Sequence, residues 1–184
     1  MIELRRGFKA EGERIAADVR QGLGLGEWEP IDAWLLADDL GYEVVDLRVF
    51  ENRNPDQVEL LRRYTGPKGF SALTLPRGPG EDPLVVLNDG HSLRRRAADL
   101  CHELAHGLLL HGGEIFDEAG RSGIGEVEEA EANWLGPTLL VPAKAARHII
   151  REGLSAPQAA EVYGVSEQLL RMRLGVTGAL KIGR

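Results

Sequence analysis

The sequence predicts an α+β fold: a small antiparallel sheet packed with an HExxH helix, followed by a C-terminal helical subdomain. Three observations predict it. Short β-forming runs are joined through a Gly/Pro loop instead of alternating with helices. The stretch around His102 reads as one uninterrupted helix, and the chain beyond residue 143 has a helix, Gly-containing turn, helix outline.

Each element has its own local reason. Lys9 to Leu23 has helical character, and Pro30 to Leu40 reads as a second helix stopped by Gly41. Tyr42 to Phe50 is a strand by its β-formers Val44, Val45, Leu47, Val49 and Phe50. Pro55 to Tyr64 reads as a short helix. Phe70 to Leu75 is a strand ended by Pro76, and the loop Arg77-Gly78-Pro79-Gly80 leads to a further strand, Leu84 to Asn88. A helix then begins at Leu93, passes through His102 and His106, and ends near Gly112-Gly113, a C-cap signal. The acidic run Glu126 to Leu135 is the next helix, with negative charge favoured in its first turn.

Composition bounds the setting. A chain of 184 residues with 43% hydrophobic content can bury one compact core. Its net charge of -7 argues against nucleic-acid binding by the whole surface, while leaving room for a local basic patch. A single cysteine excludes an internal disulfide framework. Met1 to Arg6 lacks the apolar run of a signal peptide, and no stretch approaches a membrane span, so the expectation is a cytoplasmic protein.

The chemistry centres on His102-Glu103-Leu104-Ala105-His106. Histidines four apart on a helix share a face and can hold one metal ion, a spacing that suits zinc. Glu103 is then placed to act as the base toward water without occupying a ligand position. In a chain with five His and nineteen Glu the pattern arises by chance roughly once in seventy, so context has to carry it. The uninterrupted helix supplies that context.

A catalytic zinc site needs a third protein ligand. On a continuous helix His111 points about 140° away from His106, and His91 would stand roughly 16 Å from His102. Cys101 projects about 100° around the helix and reads as a small buried hydrophobe. A carboxylate from the acidic helix remains. On a wheel with Val127 at zero, Glu131 falls near 40° among Trp134, Leu135 and Thr138, and Glu129 falls near 200°. Glu131 is therefore a carboxylate on an apolar face, where a metal would offset the cost of burial. Glu128 is the runner-up; Glu129 and Glu126 read as solvated.

These residues resemble the ImmA/IrrE-type zinc metallopeptidase family, in which a His-Glu-any-any-His helix is followed by Glu-Ala-Asn and Leu-Leu-any-Pro phrases. Here the phrases are His102 to His106, Glu131-Ala132-Asn133 and Leu139-Leu140-Val141-Pro142, with further similarity from Val165-Ser166 to Arg173-Leu174. The resemblance implies a zincin-like metallopeptidase domain over 1–142, and the helix, turn, helix outline makes 143–184 a helix-turn-helix-like subdomain expected to pack on it. It implies Zn2+ held by His102, His106 and Glu131, with Glu103 as catalytic acid-base, and a transcriptional repressor as the protein substrate. Gly136-Pro137 departs from the family's small helix-forming residues, and a kink after Trp134 is the expected result.

Two other readings stay open: a non-peptidase zinc hydrolase, and a DNA- or protein-binding module built on the C-terminal helices. From Lys144 onward Lys and Arg exceed acidic residues by four. Leu169, Leu170, Met172 and Leu174 nevertheless make much of the would-be recognition helix apolar, which favours packing over a DNA groove. The sequence leaves the residue that stabilises the oxyanion unassigned; His91, Tyr64 and Tyr163 are candidates by chemistry. Phe70 to Leu75 is the segment expected to receive a substrate strand.

Overall fold

A computed structural model describes residues 4–63, 69–111 and 125–181. Helices α1 (Phe8–Gly22) and α2 (Ala33–Asp39) precede β1 (Glu43–Asp46), a 3-10 turn at Leu47–Phe50 and α3 (Pro55–Arg63). Then come β2 (Ala72–Leu75), β3 (Leu84–Leu87), α4 (Leu93–Leu108) and α5 (Glu126–Leu140). Helices α6 (Ala143–Arg151), α7 (Ala156–Val162) and α8 (Glu167–Val176) close the chain before a last 3-10 turn at Ala179–Lys181. The fold is α+β, as the sequence predicts.

Local signals explain the boundaries. The Asp32 carboxylate accepts from the amides of Trp34 and Leu35 at the start of α2. Gly41, at φ 73, takes the left-handed conformation that ends the helix. The Ser92 and Ser166 hydroxyls cap α4 and α8.

The sheet differs from the expected antiparallel one: it is mixed, in the order β1-β3-β2. β2 and β3 pair antiparallel, Leu75 opposite Leu84 and Ala72 opposite Leu87, as a short Gly/Pro connection permits. β1 pairs parallel with β3, Glu43 opposite Leu84. Its route back runs through α3 and β2, and a connection of that length allows parallel entry. The first strand is also shorter than its β-formers suggest. Leu47 turns out of the sheet to pack with Val58 and Val86 in a small second core.

The main core joins Phe8, Leu36, Val85, Leu104, Leu135, Ile149 and Leu170, so residues on both sides of position 142 share one interior. Helix α5 runs through Pro137 to Leu140, without the interruption expected after Trp134. The Thr138 hydroxyl donates to the Trp134 carbonyl at 2.7 Å. Beyond the proline, the buried Arg20 guanidinium donates to the carbonyls of Leu139 and Leu140, satisfying groups that a helix end leaves open. Gly136 sets how closely α5 approaches α4: a Cβ there would lie 3.1 Å from the Cα and amide nitrogen of His102.

Candidate metal centre

Helix α4 delivers His102 and His106 to one face, and their Nε2 atoms lie 3.2 Å apart. Across from them, α5 supplies Glu129, whose Oε2 is 3.5 Å from His102 Nε2 and whose Oε1 is 3.6 Å from His106 Nε2. Among the described residues these three form a group able to hold a metal ion, with ligand atoms all within 4.8 Å of one another. Tetrahedral zinc with bonds near 2.0–2.1 Å would set its nitrogen ligands about 3.3–3.4 Å apart, so the donor spacing fits that ion.

Electrostatics favour the lone-pair form of His106 and Glu129, and the charged form of His102. Burial, and then the neighbouring His102 and His111, push His106 down to about 4. Contact with His102 holds the Glu129 carboxyl below its usual range against the opposing effect of burial. Burial disfavours charge on His102 too, but the Glu129 and Glu103 carboxylates outweigh it and raise that pKa.

Glu103 stands beside this group. Its Oε2 accepts a hydrogen bond from the Thr74 hydroxyl at 2.6 Å, which ties β2 to α4. Burial pushes the Glu103 carboxyl up, opposed by the Thr74 hydroxyl and the His102 charge. The Tyr42 hydroxyl lies against the same helix at Gly107, where any side chain would collide with it.

Glu131, the carboxylate expected to complete the ligand set, is buried as the wheel argument requires but faces another way. Its Oε1 accepts from Arg5 Nε at 2.5 Å, and its Oε2 lies 3.3 Å from His111 Nε2. A guanidinium and an imidazole compensate its burial, so no direct metal bond is needed to do so. The wheel failed at its origin: Val127 is 49% exposed, and the buried face of α5 is the one carrying Ala132, Leu135 and Leu139. Glu129 sits at the rim of that face and its side chain reaches the histidines. Glu128 instead accepts from the Gly125 amide at 2.7 Å, and Glu126 is exposed.

His111 is the second departure. α4 does not continue straight to His111: it ends at Leu108, and Leu110 adopts φ 54. The amides of Leu110 and His111 then bond back to the carbonyls of Gly107 and His106, a Schellman closure. This turn brings His111 Nδ1 to 3.0 Å from His106 Nδ1, on the side of the ring away from the donor group. No local signal marks the turn, because a leucine occupies the position that glycine normally takes.

The remaining candidates resolve by contact. The buried His91 places Nδ1 3.0 Å from Oδ2 of the partly exposed Asp99, and the Tyr163 hydroxyl donates to the Trp28 carbonyl. Tyr64 and the pair Gly112-Gly113 lie outside the described residues. Burial lifts the Cys101 thiol to about 12, which keeps it protonated within the core. Arg173, one of two basic residues on α8, is buried and donates to the Val141 carbonyl and to Glu13, which withdraws it from a DNA groove.

An α+β chain whose central helix pairs two histidines with a carboxylate from the next helix, and with a free glutamate alongside, has the make-up of a metal-dependent hydrolase. The profile described as the IrrE N-terminal-like domain, a peptidase family, matches residues 43–175, and the chain belongs to that family. Membership implies a metallopeptidase acting on a protein substrate. No curated protein matches the chain. No described helix is long and apolar enough to cross a membrane.

Proposed function

We propose that the chain is a zinc-dependent endopeptidase whose ion is held by His102, His106 and Glu129. The convergence of these three side chains beside Glu103 carries the reading. The ion would polarise the scissile carbonyl and acidify water. Glu103 takes a proton from the water that attacks the carbonyl carbon and returns it to the amine that leaves as the C–N bond breaks. Thr74 holds Oε2 of that carboxylate and so fixes its position on α4.

β2 forms one edge of the described sheet and carries Thr74, so an extended substrate adding to that edge would pass alongside Glu103. A transcriptional repressor is the substrate class that the ImmA/IrrE resemblance implies. The division into a metallopeptidase domain over 1–142 and a packed C-terminal helical subdomain belongs to the same reading. Burial of Arg173 supports packing over DNA contact for that subdomain.

The test is incubation of the zinc-loaded protein with a broad panel of candidate repressors, beside Glu103→Gln. Cleavage of a repressor by the wild type, absent in the variant, is expected. Intact repressors across the panel would count against peptidase action on this substrate class.

A further inference from the structure

We infer that Arg5, Glu131 and His111 form a relay that fixes the ring of His106 in the orientation and tautomer a metal needs. This rests on the proposed ligand set and goes beyond it. The contacts run in one unbroken line: Arg5 Nε to Glu131 Oε1 at 2.5 Å, Glu131 Oε2 to His111 Nε2 at 3.3 Å, and His111 Nδ1 to His106 Nδ1 at 3.0 Å. The Glu131 and His111 side chains are each only 7% exposed, so solvent cannot easily substitute for either contact.

Hydrogen-bond polarity follows from the carboxylate end. An ionised carboxylate only accepts, so His111 presents Nε2–H to Glu131 and keeps a lone pair on Nδ1. That lone pair accepts from Nδ1–H of His106. The proton of the neutral His106 ring is thereby held on Nδ1, and Nε2 is left bare on the side facing His102 and Glu129.

Arg5 extends the line beyond the region the family profile matches. Its Nε bonds Glu131 while Nη1 and Nη2 donate to the two carboxylate oxygens of Glu11 on α1, and the guanidinium lies 4.9 Å from the Phe8 ring. The segment before α1 is therefore clamped onto the shell of the metal centre. Arg5, Glu131 and His111 are positioning residues, acting through His106 and not on the substrate.

The experiment measures Zn2+ affinity of the full-length protein by competition with a chromophoric chelator, and the His106 tautomer of the metal-free protein by 15N NMR. Outer-shell loss typically weakens metal binding about 10- to 100-fold, and that loss is expected for His111→Phe and Glu131→Leu. His111→Gln should retain affinity close to wild type, since an amide can accept from His106 and donate to Glu131 at once. The Nδ1–H form should dominate in the wild type and lose its preference in His111→Phe. Should Glu131→Leu fail to fold, Arg5→Gln and the two His111 variants carry the comparison.

Wild-type affinity in His111→Phe and Glu131→Leu, alongside loss in Glu129→Gln, would overturn the relay and leave the ligand set standing. Complete loss in Glu131→Leu with wild-type affinity in Glu129→Gln would make Glu131 a ligand and overturn both. A wild-type protein that binds no zinc would remove the ligand set and the relay with it.

Discussion

The Thr74 hydroxyl donates to Oε2 of Glu103 across 2.6 Å, joining the edge strand β2 to α4 at the carboxylate next to His102. A hydrogen bond to a charged group that is largely shielded from water is worth more than an exposed one, and removing the donor leaves the acceptor short of a partner. Thr74→Val keeps the shape of the side chain and is expected to cost about 1–2 kcal/mol of stability. Urea denaturation of this variant, of Glu103→Gln and of the double variant closes a cycle. Coupling between the two positions is expected; simple additivity would show that the contact is energetically idle.

Gly136 is expected to resist even a methyl group. Its added Cβ would meet backbone atoms of Cys101 and His102 at 3.1–3.2 Å, and backbone cannot swing aside as a side chain can. Alanine gains about 1 kcal/mol of helix propensity over glycine, while overpacking costs about 1–3 kcal/mol. Gly136→Ala should therefore lower the melting temperature and, by separating α4 from α5, weaken zinc binding. A rise in melting temperature would show that the helices have room to spare.

Leu110 should behave in the opposite sense. It holds φ 54 at the C-terminal turn of α4 and is 88% exposed, so its side chain earns little from burial. A left-handed non-glycine residue costs roughly 1–2 kcal/mol, part of which glycine gives back through its freer unfolded chain. Leu110→Gly is expected to stabilise the protein by roughly 0.5–1 kcal/mol with zinc affinity unchanged. Destabilisation in thermal unfolding would mean that the leucine makes a contact outside this account.

Acid sensitivity is expected at Asp89, away from the metal centre. Its carboxylate takes two hydrogen bonds from Arg62, at 2.6 and 2.9 Å, and this contact holds its pKa below the ordinary range despite partial burial. A depressed carboxylate stabilises the fold fully above its unfolded pKa of about 3.9, and that contribution fades as pH falls through the lower folded value. Chemical denaturation from pH 6 to pH 2 should show a steeper acid-side loss for wild type than for Asp89→Asn. Parallel profiles would remove Asp89 from the acid response.

What the sequence made legible is what local chemistry determines. The breaker Gly41 marks a helix end, and the spacing of His102 and His106 needs only a helix to bring both imidazoles to one face. Strand direction is not local: nothing in the residues Glu43 to Asp46 distinguishes a parallel from an antiparallel partner, because the choice lies in the route through α3 and β2. Which carboxylate meets the histidines depends on how α5 is rotated, and a wheel anchored on the exposed Val127 turned Glu129 away from them. His111 was hidden for a related reason, since the turn that returns it to His106 is made by a leucine, which carries no turn signal. Glu131 did betray its burial; only its partner was unreadable.

Zinc content of the wild type, Glu103→Gln, Glu129→Gln and Glu131→Gln, measured after zinc loading and removal of excess metal, decides which carboxylate joins His102 and His106. Stoichiometric zinc is expected in the wild type and Glu103→Gln, and loss in Glu129→Gln, with Glu131→Gln retaining an ion that it binds no more tightly than the wild type. Zinc retained by Glu129→Gln and lost from Glu131→Gln would contradict the assignment.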